Sequence, residues 1–344
     1  MVVAPLRVAV VGAGGVGGWI GAKLLQHGAA DVSFVLRSSS EQLTAFRERG
    51  LSYRAVEEGD EFDLQPAVLT CHANNELDGL PTVDVLVLCM KTFQLAEALE
   101  PLAPLVGEHT MIVPTQNGVE APETIAAVYG EARVVGGVAR VVSYIDGAGV
   151  IRKHVSGSIE VGEYFTDLLK PSDRVKRFTD ILATAGVESL ASTDIKTRMW
   201  NKFTSMACNG PIGAVTRAPL DVISTEPETK AMLSAAMNEV VAVGAAYGVR
   251  IDPNIVSSLH LRKPAPNSTF STTRDVVSGR PSELFELTGA VVRLGAGAQP
   301  PVPTPTHHFV LAALVPQERL ARSERAFTLD GVAPEHQNTA SPRL

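Results

Sequence analysis

The sequence predicts an α/β protein in which a Rossmann-type, doubly wound sheet domain precedes an all-α domain. Three observations predict it. A β-branched run at Arg7–Val11 leads directly into GAGGVGG and then into a helical stretch. Strand and helix patterns alternate over the first half of the chain, as in βαβ units. From about Pro171 onward, the patterns are helical alone.

The first half carries short apolar runs separated by helical patterns. The predicted strands are Arg7–Val11, Asp31–Leu36, Val83–Met90, Thr110–Pro114 and Arg133–Val142. The predicted helices between them are Trp19–Gln26, Leu95–Leu102 and Glu123–Val128. The run at Val83–Met90 is nearly continuous in apolar residues, which is typical of a strand buried on both faces of a parallel sheet.

The second half is predicted to be helical throughout. The predicted helices are Asp173–Ala185, Asp194–Cys208, Pro227–Tyr247, Pro253–Leu261, Leu284–Gly295 and Thr306–Leu320. The boundary is predicted between Gly162 and Pro171, which gives a cofactor domain over 1–168 and a helical substrate domain over 169–327. The polar, proline-containing segment 328–344 is predicted to be a frayed tail.

Composition excludes other classes of protein. At 344 residues and 36.4 kDa the chain has room for two domains. A hydrophobic fraction of 45% argues against wholesale disorder, and a net charge of −7 argues against a nucleic-acid partner. No apolar run has the length of a membrane span. Three widely spaced cysteines and histidines without ligand spacing predict no disulfide framework, no metal and a reducing, cytoplasmic setting.

The glycine-rich turn predicts a dinucleotide site, because it follows a strand and opens a helix. In Gly12-x-Gly14-x-x-Gly17 the first glycine allows the tight turn, the second lets the backbone approach a pyrophosphate, and the third lets the helix pack on the strand. The cofactor-binding residues expected here are Gly12, Ala13, Gly14, Gly15, Val16 and Gly17. A glycine-rich turn without a ligand is the alternative.

The end of the second strand favours NADP(H) over NAD(H). An NAD enzyme usually has an acidic residue there, whereas this chain has Arg37 followed by three serines, a set that suits a 2′-phosphate. Lys91 and Asn117 follow the next two strands, at the edge where such sheets bind ligands. The alternatives are a solvated loop arginine, a solvated lysine and an Asn-Gly turn.

With these motifs in this order, the chain resembles the ketopantoate reductases (2-dehydropantoate 2-reductases) of the 6-phosphogluconate-dehydrogenase-like superfamily over about residues 7–320. GAGGVG, Arg37, Lys91 in CMKTFQ and Asn117 in QNG match the family's cofactor half. MWNK ending at Lys202, the segment FSTTRDVVSGRPSE from Phe270 to Glu283 and the later PTPTHHFVLAAL match its helical half.

The resemblance implies NADPH-dependent reduction of a 2-oxo acid, with ketopantoate to D-pantoate as the family default. It makes Lys202 the general acid and Glu283 its carboxylate partner, in contact with cofactor and substrate. Asn117 would face both ligands, Ser271 would bind the substrate carboxylate, and Asp275 would orient its neighbours. From the residues alone, Lys202 is also compatible with a solvated helix lysine, Glu283 with the first turn of a helix and Ser271 with an N-cap.

The chain departs from the family where asparagines usually bind the hydroxyl-bearing end of ketopantoate. Met206, Gly210 and Leu220 stand at those positions. Asn209 shares the helix face of Lys202 and is expected to substitute in part. An apolar pocket disfavours a substrate hydroxyl. A more hydrophobic 2-oxo acid, as in D-2-hydroxyacid dehydrogenases, is therefore the first alternative substrate.

Other functions stay open from the sequence. One is an imine- or opine-forming dehydrogenase with the same cofactor domain, and another is a non-catalytic NADPH-binding sensor. The expected partner is a small 2-oxo acid rather than a nucleic acid or a membrane, with a homodimer as one option for the assembly.

Overall fold

The computed structural model describes residues 4–55, 59–261 and 263–324, and the predicted tail lies outside these ranges. Its strands are β1 (Arg7–Val11), β2 (Asp31–Leu36), β3 (Leu51–Ala55), β4 (Asp60–Leu64), β5 (Thr70–Ala73), β6 (Val83–Leu88), β7 (Val106–Pro114), β8 (Val135–Ile145), β9 (Val150–Glu163) and β10 (Glu188–Ser192).

Its helices are α1 (Gly15–Gln26), α2 (Glu41–Glu48), α3 (Leu95–Leu99), α4 (Ala121–Tyr129), α5 (Asp173–Thr184), α6 (Ile195–Thr216), α7 (Leu220–Ile223), α8 (Pro227–Ala246), α9 (Ile255–Leu261), α10 (Ser271–Val277), α11 (Thr288–Gly297) and α12 (Pro305–Ala321). Across the described ranges, none of the helices combines the length and apolarity that crossing a membrane requires.

The first sheet is parallel, in the order β5-β2-β1-β6-β7, and confirms the predicted Rossmann-type fold. The order reverses between β1 and β6, and the carboxyl ends of such strands form the edge where ligands bind. The strands are rich in valine because both of their faces are covered. Val10 and Val87 are fully buried on one face, and Leu86 is fully buried on the other.

A second, mixed sheet in the order β10-β9-β3-β4, with β8 on β9, was not predicted beyond β8. Its strands carry many charged residues among their apolar ones, as in DEFDL of β4 and VIRKHVSGSIEVG of β9. Such strands lack the continuous apolar run that marks a strand buried on both faces.

The expectation that only helices follow Pro171 is wrong for the first part of that region. Strand β10 pairs in parallel with β9, and Val175, Phe178 and Leu182 of α5 belong to the core beneath the first sheet. These elements extend the first domain along the chain. We therefore propose a domain division close to residue 193, later than the predicted boundary.

The second domain is helical, as predicted, and its core gathers around α6. This helix runs through Pro211 to Thr216, eight residues beyond the predicted end at Cys208. Proline removes one backbone donor, which frees the carbonyl four residues earlier. That carbonyl, of Ala207, accepts a hydrogen bond of 3.4 Å from Thr288 Oγ1 instead.

Helix α11 begins at Thr288 rather than at Leu284, so Glu283 does not lie in the first turn of a helix as the sequence suggested. The reason lies one residue earlier. Ser282 Oγ accepts from the backbone N–H of Leu284 at 3.2 Å, and its own N–H and hydroxyl bind Glu318. This local bonding holds the segment in a turn and leaves Glu283 outside regular structure.

We expect Gly17→Ala to destabilise the fold, because a Cβ at Gly17 would overlap the carbonyl oxygen of Gly12. Forcing α1 away from β1 should lower the free energy of unfolding by about 1–3 kcal/mol, measured in urea. Gly14→Ala is the matched control, because a Cβ at Gly14 meets open space. Equal destabilisation by the two variants would contradict the close packing inferred for Gly17.

Candidate functional site

The site lies at the carboxyl edge of the first sheet. Lys91 and Thr92 follow β6, and Asn117 follows β7, where the backbone turns through Gly118 at φ +106°. Because β6 and β7 are adjacent and parallel, these side chains meet at the edge where open α/β sheets bind ligands.

Glu283 is the centre of this site and only 3% exposed. Its Oε1 accepts from the backbone N–H and the hydroxyl of Thr92, at 3.1 and 2.8 Å. Its Oε2 accepts from Asn117 Nδ2 at 3.0 Å and lies 3.9 Å from Lys91 Nζ. Glu283 belongs to the helical domain, and both of its carboxylate oxygens are thereby bound to residues of the cofactor domain.

The segment that carries Glu283 is itself anchored. Glu318 on α12 is 1% exposed, and its carboxylate accepts from the backbone N–H of Ser282 at 3.0 Å and from its hydroxyl at 2.5 Å. Arg322 donates to Glu318 at 2.6 Å and to the carbonyl of Ser282 at 2.9 Å. These bonds leave the neighbouring Glu283 few alternative positions.

Lys91 and Asp275 form a second link between the domains. Lys91 Nζ lies 3.0 Å from Asp275 Oδ2, and Arg280 donates to Oδ1 of the same carboxylate at 3.0 Å. Asp275 therefore holds Lys91 beside Glu283.

Lys202 lies in the middle of α6, which begins after the N-cap Asp194, whose side chain accepts from the backbone N–H of Thr197 at 3.2 Å. Burial lowers the pKa of Lys202 to about 8, the Glu283 carboxylate opposes this effect, and the Arg140 guanidinium adds to it. Among the described residues, none forms a hydrogen bond with Lys202 Nζ. The ammonium is thus desolvated, close to a carboxylate and available to a ligand.

The predicted cofactor turn has the form that a pyrophosphate requires. Gly12 adopts φ +87°, and Gly14, which precedes the first turn of α1, faces open space. Ala13 is buried, Val16 packs against the core of the first sheet, and a Cβ at Gly15 would overlap the Ser143 carbonyl oxygen. The free N–H groups at the start of α1 favour an anion, so the turn fits a dinucleotide.

Arg37 lies at the end of β2 and is exposed. It forms no ion pair within the described part of the chain, and its backbone carbonyl accepts from Ser40 N at 2.9 Å in the following turn. The guanidinium is therefore free to meet a phosphate at this strand end.

Two predicted substrate residues lie further from Glu283 along the helices. Asn209 is buried, and its Nδ2 donates to the carbonyl and the hydroxyl of Ser205, at 2.9 and 3.0 Å, within α6. Ser271 is the first residue of α10, after an N-cap at Phe270, and is partly exposed. Among the described residues, neither side chain forms a hydrogen bond with Lys202 or Glu283.

Sequence reasoning missed four side chains of this site: Thr92, Ser282, Glu318 and Arg322. Thr92 follows Lys91 directly, so its place next to the ligand edge was open to inference. The other three act through contacts across 36 to 40 residues of sequence, which no local pattern reveals. Within the described ranges, no group of three or more histidine, cysteine and acidic side chains could hold a metal ion.

The geometry defines the class of protein as a two-domain dehydrogenase, with a dinucleotide turn in one domain and a half-buried lysine in the other. A family model described as ketopantoate reductase PanE/ApbA matches residues 8–165, and its C-terminal counterpart matches residues 194–318. A 2-dehydropantoate 2-reductase of Mesorhizobium japonicum is 30% identical over 87% of this chain and 94% of its own.

Solved structures agree with this assignment. A 2-dehydropantoate 2-reductase of Geobacter metallireducens superposes with a TM-score of 0.79 at 27% identity, over 90% of this chain and 99% of its own. D-mandelate dehydrogenase, in a ternary structure with NADH and anilino(oxo)acetate, superposes with a TM-score of 0.81 over 92% and 99%, and at 20% identity it supports the fold alone.

The chain belongs to the ketopantoate reductase family. It is an oxidoreductase of the class that acts on the CH–OH group of a donor, and the reductases of this family use NADPH. The resemblance drawn from the sequence motifs is thereby confirmed.

We expect Glu283→Gln to lower the pKa of Lys202 further below 8, because the Glu283 carboxylate stabilises the charged ammonium. The pKa can be followed by NMR through the Cε chemical shift of ¹³C-labelled lysine. Lys176, exposed on α5 and paired with Asp180 at 2.6 Å, provides an internal control that should not change. An unchanged or raised pKa of Lys202 would contradict the proximity of the two groups.

Proposed function

We propose that this chain reduces a 2-oxo acid to the 2-hydroxy acid with NADPH, and that ketopantoate is the first candidate substrate. One observation carries the proposal. The half-buried ammonium of Lys202, without a protein hydrogen-bond partner among the described residues, lies near a Glu283 carboxylate bound by Thr92 and Asn117. The names of the relatives support ketopantoate as the default.

Each residue of the site has a separate role in the proposed reaction. The Gly12–Gly17 turn and Arg37 would hold NADPH, which when bound would supply the hydride for the carbonyl carbon. Lys202 holds a proton at Nζ, donates it to the carbonyl oxygen and stabilises the negative charge that develops there. Glu283 keeps Lys202 charged and, through Asn117 and Thr92, keeps the two domains in register around the substrate.

A more hydrophobic 2-oxo acid is the second candidate substrate. Met206 and Leu220 are partly buried and pack against the helical core. A Cβ at Gly210 would lie only 3.0 Å from Cβ of Thr272, so α10 takes the space of a longer side chain there. Asn209 Nδ2 donates to Ser205, so Oδ1 is the atom of this amide that would accept a hydrogen bond from a substrate hydroxyl.

A non-catalytic sensor and an imine-forming dehydrogenase are the remaining alternatives. A sensor has no need for a desolvated lysine beside a carboxylate, and imine formation would require an added amine. A reducing cytoplasmic setting fits the three free cysteines of the described chain, and the homodimer stays a prediction.

We expect purified protein to oxidise NADPH with 2-oxo acids and without an amine. Lys202→Ala should lower kcat by on the order of 10²- to 10⁴-fold through loss of the proton donor. Lys196→Ala is the matched control, because Lys196 is exposed on the same helix and contacts the Tyr164 ring instead. A panel from ketopantoate to phenylpyruvate distinguishes the two substrate classes.

Each outcome of this panel decides between the alternatives. A preference for ketopantoate supports the family default, and a preference for phenylpyruvate supports the apolar pocket. NADPH binding without turnover of any member would favour the sensor and reject the reductase. Turnover that needs an added amine would favour the imine route.

We expect Arg37→Ala to weaken NADPH binding while NADH binding stays the same. Loss of a charge-assisted bond to the 2′-phosphate should raise the KM for NADPH by on the order of ten- to a hundredfold. Arg177→Ala, on the exposed face of α5, is the control for an unspecific charge effect. Equal KM changes for NADPH and NADH would show that Arg37 does not read the phosphate.

A further inference from the structure

Arg322 lies where the two domains meet, directly after the last residue of α12. Its guanidinium carbon lies 4.6 Å from the centre of the Phe93 ring, in the cofactor domain, and 5.1 Å from the centre of the Phe285 ring, in the helical domain. Phe93 follows Thr92 directly, and Phe285 lies two residues after Glu283. Arg322 therefore contacts a close neighbour of each partner in the bond between Thr92 and Glu283.

The polar contacts of Arg322 lead to the same segment of the helical domain. Its Nε donates to Glu318 Oε1 at 2.6 Å, and its Nη2 donates to the carbonyl oxygen of Ser282 at 2.9 Å. The Glu318 carboxylate accepts in turn from the backbone N–H and the hydroxyl of Ser282. The side chains of this ion pair are 17% and 1% exposed, so water competes little for these bonds. The residue before Glu283 is thus held at both its N–H and its carbonyl.

Arg322 also offsets a concentration of negative charge. Glu286 Oε2 lies 3.6 Å from Arg322 Nη2 and has no hydrogen-bond partner among the described residues. Burial raises the pKa of Glu286, the Arg322 guanidinium opposes this effect, and the carboxylates of Glu283 and Glu318 add to it. Because like charges repel, the guanidinium lowers the cost of keeping Glu283 next to two other carboxylates.

We propose that Arg322 is a positioning residue that keeps the Glu283 carboxylate beside Lys202. Its hydrogen bonds fix the residue before Glu283, and its contact with Phe93 fixes the loop that donates to the same carboxylate. Arg322 acts through these neighbours and not on the reacting atoms. Its effect on turnover rests on the proposed reduction of a 2-oxo acid, whereas its effect on the pKa of Lys202 can be measured without any reaction.

The test uses Arg322→Lys, because this variant keeps the charge. A lysine ammonium can pair with Glu318, but it cannot also bind a backbone carbonyl in a planar fork or lie flat against an aromatic ring. The direct electrostatic effect of the exchange on Lys202 is therefore small. A change in the pKa of Lys202 then reports the position of Glu283.

We expect Arg322→Lys to lower the pKa of Lys202 from about 8 to below about 7.5, as followed by NMR of ¹³C-labelled lysine. The limb of the kcat profile on which Lys202 loses its proton should move to lower pH to the same extent. Below that limb, kcat should stay within about threefold of its value in the unmodified protein. A merely structural role would lower the free energy of unfolding and leave this pKa unchanged.

The controls locate the effect. Arg319→Lys makes the same exchange at an exposed position of α12 and should leave the pKa of Lys202 and the kcat profile unchanged. In a Glu283→Gln background, Arg322→Lys should change this pKa by less than about 0.2, because the charge that it positions is gone. Phe93→Leu removes the aromatic face and should lower the pKa as well, which keeps the test decisive if Arg322→Lys folds poorly.

The outcomes separate this inference from the proposed function. An unchanged or raised pKa of Lys202 in Arg322→Lys, or an equal fall with and without the Glu283 carboxylate, would overturn the proposal. A lowered pKa in a protein that turns over no 2-oxo acid would reject the proposed reaction and support the positioning role. Turnover with a kcat profile that Arg322→Lys leaves in place would do the reverse.

Discussion

The structure depends on the bonds between the Glu283 carboxylate and the loops that follow β6 and β7. One oxygen binds the backbone and hydroxyl of Thr92, and the other binds the amide of Asn117. Burying a carboxylate to 3% exposure costs free energy unless its oxygens accept hydrogen bonds. The two domains are therefore held in the position in which Thr92 and Asn117 can donate to Glu283. This contact therefore fixes the helical domain, which carries Lys202, against the loops of the cofactor domain.

The same contact controls the chemistry of Lys202. Burial of an ammonium favours its neutral form and lowers the pKa of Lys202. The nearby Glu283 carboxylate offsets part of that effect and holds the pKa at about 8, where the ammonium is charged at neutral pH yet a strong enough acid to transfer its proton. A single carboxylate therefore serves both the assembly of the site and the charge of its proton donor.

The sequence predicted those elements whose signals lie within a few consecutive residues. The glycine turn, the valine-rich strands β1 and β6 and the long α6 were recognisable because their signals lie within a few residues. The second sheet was missed because charged residues interrupt the apolar residues of β4 and β9, and β10 was missed because its pairing with β9 is not local. Resemblance to a family supplied Lys202 and Glu283, whereas Glu318 and Arg322 became visible only through contacts across the fold.

The hydroxyl of Thr92 gives the cleft a way to adjust without losing its register. It lies 2.8 Å from Glu283 Oε1 and 2.9 Å from the carbonyl oxygen of Asn117, and a hydroxyl donates one proton at a time. Either acceptor satisfies it, so the bond to Glu283 is exchangeable while the backbone N–H of Thr92 continues to hold Oε1. The Thr92 hydroxyl therefore has an acceptor whether or not Glu283 takes its proton, whereas the Thr92 N–H and Asn117 Nδ2 depend on the carboxylate.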